Sequence, residues 1–377
     1  MNKLFEKSRI KNIELSNRFI RSAMWDGMAT EDGGATQKII NSMVDLSDGG
    51  VGLIISGHAY VSPEGQASFL QLGIHKDELV NGFKRLTDAV RGHNGKLIMQ
   101  ISHAGYFAAE KITGRVPLAV SSLEGLAESD RKELKKEDIQ ELIGAFADAA
   151  GRAKRAGFDG IQLHSAHGYL LSQFLSPFFN HRKDEYGGKI GNRTRIHREI
   201  LHAVREVVGG DYPVLIKMNC TDLFENGLSL SDAVKAGKIF EEEGIDAIEI
   251  SGGSVMGGRI GSNSPCRPGI DSKEKEAYFE EYIKEFKENI SIPLILVGGI
   301  RSYDIAERIV MTGLADYISM CRPLIREPGI INRWKAGNYG KSECVSDNLC
   351  FRPGLKGEGV YCLTKKREKA RIRSENI

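Results

Sequence analysis

Glu137-Asp-Ile-Gln-Glu-Leu-Ile-Gly-Ala-Phe-Ala-Asp-Ala-Ala-Gly-Arg-Ala-Lys-Arg-Ala-Gly-Phe-Asp-Gly-Ile-Gln-Leu-His164 carries two periodicities end to end. In its first part Ile139, Leu142, Ile143, Phe146, Ala149 and Ala150 recur at three and four residues, which predicts an amphipathic helix over Glu137 to Gly157. Gly157 is its natural stop. Gly160 to His164 then reads as a short strand buried on both faces, as in parallel sheet. A helix feeding such a strand is one unit of a βα alternation, and the same alternation extends to either side.

Eight such apolar runs are present: Phe19 to Met24, Val51 to Ser56, Leu97 to Ser102, Gly160 to His164, Val214 to Asn219, Ala247 to Ser251, Leu294 to Gly298 and Tyr317 to Met320. The fold class is therefore α/β. Eight units suit a closed (β/α)8 TIM barrel better than an open doubly wound sheet, although periodicity alone permits both. Ile10 to Leu15, around Lys11-Asn12, predicts an N-terminal hairpin able to plug the barrel bottom. A chain of 377 residues is normal for one such barrel with insertions.

Composition narrows the function. Lys plus Arg number 52 against 50 Asp plus Glu, and a net charge of +2 offers no field for nucleic acid or an anionic membrane. Met1 to Glu6 mixes acid and base without the apolar run of a signal peptide, and no stretch approaches the length of a spanning helix. Six scattered cysteines fit a reducing compartment. The expectation is a soluble, cytoplasmic protein with no membrane or nucleic-acid partner; monomer and homo-oligomer stay open. The basic tail Lys365 to Arg373 reads as a solvated final helix.

In a barrel the C-terminal strand ends face the mouth, and polar residues gather there in this sequence. They are Ser22 and Met24, Ser56-Gly57-His58, Gln100 with Ser102-His103, His164 to His167, Lys217 with Asn219, Ser251-Gly252-Gly253, Gly298-Gly299 and Cys321-Arg322. His164 and His167, three residues apart, can converge on one oxygen as charge builds on it. Tyr169 can donate a proton at neutral pH. A chelated metal is the alternative for the two imidazoles, with Lys217 as base or Schiff-base former in a hydrolase or aldolase; loop capping is the plain one. Gly298-Gly299 after the seventh run and Cys321-Arg322 after the eighth occupy the places where barrels hold phosphate. Gln100 and Lys217, polar within apolar strands, need a polar ligand or, for Lys217, an acidic neighbour.

These motifs resemble the old yellow enzyme family of FMN-dependent ene-reductases. The likeness runs from Leu4 to about Ile330 through Leu15-Ser-Asn-Arg-Phe-Ile-Arg-Ser-Ala-Met24, Gln100-Ile-Ser-His-Ala-Gly105, His164-Ser-Ala-His-Gly-Tyr-Leu-Leu-Ser-Gln-Phe-Leu-Ser-Pro177 and Asn180-His-Arg-Lys-Asp-Glu-Tyr-Gly-Gly188. It implies non-covalent FMN, with Ser22, Ala23, Met24 and Gly57 along the ring, Gln100 and Lys217 at its pyrimidine side, and Gly298, Gly299, Cys321 and Arg322 at the phosphate. It also implies reduction by NADH or NADPH, then reduction of the C=C bond of an α,β-unsaturated carbonyl compound. His164 and His167 would polarise the carbonyl and Tyr169 protonate the α-carbon; Trp25, His164, His167 and Tyr169 would contact the substrate.

The resemblance divides the chain into an FMN-binding barrel, residues 1–340, and a C-terminal extension, 341–377, packed on or near it. This sequence departs from relatives in Lys217, where many carry arginine, and in Trp25, where a small side chain is usual. Cys344, Cys350 and Cys362 resemble the cluster-binding run of the larger dienoyl-CoA reductase branch, but Asp347 stands where another cysteine is expected. Three thiolates read as a vestige of an iron–sulfur site, with no metal in it. A dienoyl-CoA-reductase-like activity is the alternative function.

Overall fold

The computed structural model of the protein describes residues 3–123, 126, 129–257 and 264–375. Eight parallel strands form its centre: β1 (Phe19–Arg21), β2 (Leu53–Ile55), β3 (Leu97–Ser102), β4 (Gly160–Ser165), β5 (Val214–Asn219), β6 (Ala247–Ser251), β7 (Leu294–Leu296) and β8 (Tyr317–Met320). Every predicted run thus contains a strand. Neighbours in sequence are neighbours in the sheet, and β8 pairs with β1 from Ile318–Phe19 to Met320–Arg21, which closes the (β/α)8 barrel and excludes the open sheet.

Helix Lys136–Arg155 shows why the outer ring forms. Its Ile139, Leu142, Ile143, Phe146, Ala149 and Ala150 are all buried, as the spacing predicts. The Asp138 carboxylate accepts the Lys135 backbone N–H at 2.8 Å near the start of this helix. Gly157, at φ +86°, turns the chain out of it in a conformation that a side chain would strain.

Side chains alternate across each strand, so one set faces the helices and the other the barrel axis. Facing out, Ile161, Leu163, Ile216, Ile248, Ile250 and Ile318 belong to the main core. Facing in, at the bottom, Ile20, Leu53, Ile98, Leu215, Ala247, Ile295 and Tyr317 form a separate apolar cluster with Ile10, Ile13 and Leu15. Those last three come from an antiparallel hairpin, Ser8–Ile10 with Ile13–Leu15, which is the expected plug. Tyr317 Oη donates to the Arg9 carbonyl at 3.0 Å, and Lys11 pairs with Asp246 at 3.1 Å.

Two residues further along six of the eight strands the inward positions become Ser22, Gln100, Gln162, Lys217, Glu249 and Ser319, all buried. This polar layer is the floor of the mouth. Beyond β8 the chain continues through short helices Arg322–Arg326 and Ile330–Lys335 to helices Phe351–Leu355 and Leu363–Glu375. The last of these carries the basic tail, exposed from Lys366 to Ser374 as expected. Among the described residues no helix is long and apolar enough to cross a membrane.

Candidate active site

A cavity opens above the polar layer at the C-terminal ends of the strands. Ser22, Ala23, Met24, Trp25, Gln100, His164, His167, Tyr169, Lys217, Gly299, Cys321 and Arg322 all line it, so most of the residues singled out from sequence meet in one place. Gly57 and Gly298 do not. Gly57 lies behind the wall, where a Cβ would sit 2.8 Å from the Met24 carbonyl and 2.7 Å from Asp26 Oδ2. Gly298, at φ +136°, backs onto Tyr278 and Phe279. Their part is to let the neighbouring wall form.

His164 is the last inward residue of β4, and the loop after it brings His167 and Tyr169 beside it. The His164 ring lies 5.3 Å from that of His167 and 4.9 Å from that of Tyr169, each edge to face. His167 has φ +63°, and its N–H donates to Asn219 Oδ1 at 3.0 Å, which holds this uncommon conformation. Gln173 Nε2 donates to the Gly168 carbonyl at 2.7 Å and to that of Ala104 at 3.2 Å, tying the loop to its neighbour.

Burial keeps the His164 imidazole neutral at physiological pH, helped by the nearby His167, His58 and Lys217, and its basicity falls well below the usual range. Burial and then Lys217 do the same to His167. The Tyr169 phenol is pushed up to about 12 by burial. Ala166 N–H donates to His164 Nδ1 at 3.4 Å, so the ring proton of His164 belongs on Nε2. His167 Nε2 lies 2.7 Å from Ser251 Oγ.

The floor decides between the two readings of Lys217. Its ammonium donates to Ser22 Oγ at 2.7 Å and lies 3.3 Å from Glu249 Oε1, with the carboxylate wholly buried. Ser22 and Ser319 donate to Glu249 Oε1 at 2.7 and 2.8 Å, and Gln162 Nε2 donates to Oε2 at 2.9 Å. Burial alone would raise the Glu249 pKa; the Lys217 charge and these hydrogen bonds bring it below the ordinary value. The acidic neighbour therefore exists, and a charge-paired amine is a poor Schiff-base former. Gln100 Nε2 donates to Gln162 Oε1 at 2.7 Å, and among the described residues no protein group donates to the Gln100 side-chain oxygen, which leaves it free for a ligand N–H.

At the other side of the cavity, Arg322 Nη1 donates to the Arg267 carbonyl at 2.8 Å and to Asn348 Oδ1 at 2.7 Å. Neither acceptor is charged, and among the described residues Arg322 forms no ion pair with a carboxylate, so this guanidinium stands ready for an anion. Gly299 lies beside it at φ +72°, where a Cβ would come within 2.8 Å of the Tyr278 ring. Cys321 turns its sulfur to Met24 at 3.3 Å, so its side chain packs and does not serve as an anion donor. Trp25 is held by Nε1–H donation to the Phe69 carbonyl at 3.0 Å and packs with Phe351 and Cys350 of the C-terminal segment.

The residue types and their placement match one family, whose profile covers residues 3–340 and is described as NADH:flavin oxidoreductase / NADH oxidase. The chain belongs to that family. It is 36% identical over 351 residues to an NADH oxidase of Thermoanaerobacter brockii, covering 92% of this chain and 53% of the relative. An NADPH dehydrogenase of Listeria monocytogenes serotype 4b is 36% identical over 330 residues, 87% of this chain and 93% of that one. The old yellow enzyme homologue from Zymomonas mobilis superimposes with a TM-score of 0.77 at 25% identity, covering 96% and 97% of the two chains. This chain spans about half the length of the larger relatives it matches.

FMN, with NADH or NADPH as reductant, is the cofactor of this family, and the cavity fits it. An uncompensated Arg322 beside Gly299 suits a phosphate. A free Gln100 carbonyl and the Lys217 ammonium suit the hydrogen-bonding edge of a flavin. Of the other cavity residues, His58 and Ser251 were expected at the mouth without an assigned role, whereas Cys266, Tyr278, Arg301, Ser346 and Phe351 were not singled out from sequence. Only His58 and Ser251 carried a signal, their position at strand ends; the others arrive on loops and the C-terminal segment.

The cysteine run makes a second, small pocket with Arg326, Glu343 and Thr364. It does not fit a cluster. Asp347 is engaged through both oxygens, by Thr364 Oγ1 at 2.5 Å and the Leu349 N–H at 3.0 Å, so only three sulfurs remain. Cys362 sulfur accepts from Arg326 at 3.8 Å and from the Lys365 N–H at 3.4 Å. Among the described residues, no group of three His, Cys, Asp or Glu side chains is arranged to hold a metal ion.

Proposed function

We propose that the chain is an NAD(P)H-dependent ene-reductase that reduces the C=C bond of α,β-unsaturated carbonyl compounds by a ping-pong mechanism. The observation that carries this reading is the convergence of His164, His167 and Tyr169 over a floor and wall suited to a flavin. When bound, FMN supplies hydride chemistry, accepting hydride from a nicotinamide and donating it to an electron-poor carbon.

The protein's own part is electrostatic and positional. Two neutral imidazoles, His164 through Nε2–H and His167 held with its Nε2 against Ser251 Oγ, would hold the carbonyl oxygen as negative charge grows on it. Tyr169, protonated because burial disfavours its phenolate, would give its proton to the α-carbon. Lys217 would hold the electron-rich edge of the flavin while Glu249 fixes the ammonium in place. Arg322 and the backbone at Gly299 would anchor the phosphate.

Anaerobic titration tests this. NAD(P)H should bleach the yellow holoprotein and cyclohexenone should restore its colour; a protein that binds FMN but reacts with no enone, enoate or dienoyl thioester would end the proposal. Residues 341–377 would act as an extension that completes the wall, its cysteines a vestige, and iron and sulfide analysis of anaerobically purified protein should return far less than one equivalent.

A further inference from the structure

His58 follows β2 by three residues and is only 7% exposed. Gln71 fixes its tautomer. Gln71 Oε1 accepts the backbone N–H groups of Ala67 at 2.8 Å and Ser68 at 3.1 Å, so the NH2 end of the amide is the one turned to His58. That end lies 2.7 Å from His58 Nδ1 and donates to the His58 carbonyl at 3.2 Å. Nδ1 is therefore an acceptor. The proton of the neutral ring lies on Nε2.

The ring lines the cavity, its centroid 6.0 Å from that of His164 and 5.5 Å from that of Tyr169. Among the described residues no protein group accepts from its Nε2, and a nearly buried donor facing a cavity without a partner points to an acceptor on a ligand. Burial lowers the His58 pKa to about 4, so the ring stays an uncharged donor at neutral pH. An amide NH2 cannot take a proton from Nδ1, so the ring binds and positions but does not relay.

We propose that His58 Nε2–H binds a second oxygen of the substrate, making the preferred alkenes those that carry, besides the carbonyl held by His164 and His167, another uncharged carbonyl oxygen. The His58 and His164 ring centres are 6.0 Å apart, comparable to the separation of the two oxygens across a six-membered dione. This specificity rests on the His164 and His167 reading given above.

Binding of saturated ligands separates the two ideas, because it needs no turnover. Dissociation constants of cyclohexanone and cyclohexane-1,4-dione are measured from perturbation of flavin absorbance in the holoenzyme and in its His58→Phe and His58→Gln variants. Wild type should favour the dione; His58→Phe should reduce that ratio about five- to tenfold, the usual worth of one lost hydrogen bond. His58→Gln, which keeps an N–H donor near the Nε2 position, should recover most of it. An unchanged ratio in His58→Phe, or no dione preference in wild type, overturns the proposal. Failure of cyclohexenone to reoxidise the flavin would instead remove the ene-reductase reading and leave the ratio standing.

Discussion

The barrel interior holds two layers built by the same strands two residues apart, and they are opposite in character. In the lower layer Ile20, Ile98, Leu215, Ala247, Ile295 and Tyr317 close on the hairpin without a charge. In the upper layer Ser22, Gln100, Gln162, Lys217, Glu249 and Ser319 are equally buried yet wholly polar. Leu215 and Lys217 are consecutive inward residues of one strand, as are Ala247 and Glu249. Buried apolar surface stabilises by leaving water, whereas a buried charge is tolerated only with its partner and hydrogen bonds in place. The difference teaches where this barrel keeps its stability and where it keeps its chemistry.

The largest effect should fall above the polar layer. Tyr169→Phe should slow flavin reoxidation by an enone by about 10²- to 10⁴-fold, the range for a lost general acid, while reduction by NAD(P)H changes little. Stopped-flow absorbance of each half-reaction checks this, and equal slowing of both would remove Tyr169 from the proton-donor role.

Next come the two layers themselves. Glu249→Leu strands the Lys217 charge and should cost about 3–5 kcal/mol in urea unfolding of the holoprotein. Glu249→Gln, whose single amide oxygen can still accept from Ser22 and Ser319 although its NH2 would face that of Gln162, should cost less. Leu215→Ala, one layer down, should cost about 2–5 kcal/mol through its cavity. Its enone turnover, measured where it is folded, should remain near wild type; a loss of turnover matching that of Glu249→Leu would erase the division of labour between the layers.

The smallest effect concerns pH. His164 and His167 are held well below 6.5, and Tyr169 is raised to about 12, so neither limit lies near neutrality. Alkene reduction should be flat from about pH 6 to 9, since free imidazole would titrate near 6.5. Stability behaves differently from turnover: the unfolded chain protonates His58 near 6.5, while the folded ring holds out to about 4, so stability falls as pH drops between the two. An acid limb at 6.5 in turnover, with folding intact, would show that the imidazoles are not buried as described.

Much of this was legible in one dimension. Eight apolar runs marked eight strands because strands buried on both faces cannot disguise their composition. Gly157 marked a helix end, and His164, His167 and Tyr169 lie close because they are close in sequence. Glu249 was not legible: within Ala247-Ile-Glu-Ile-Ser251 it looked like part of an apolar run, and its meaning depends on Lys217 of the adjacent strand. The signal available was parity, since both occupy inward positions of their strands. Trp25 was read as a substrate contact, but its packing against Phe351 and Cys350 came from a segment more than three hundred residues away.

The sequence by itself determined the alternating strands and helices, the plugging hairpin, the His164 to Tyr169 run and the polar character of the strand ends. These follow from local periodicity and from residues joined by a few bonds. Only the tertiary structure decided that the barrel closes, that Lys217 is paired with Glu249, that Gly57 and Gly298 stand behind the cavity wall, and that His58 presents an N–H. Each of these depends on which strand or loop lies opposite another, and register across space is set by packing that no single stretch of chain contains.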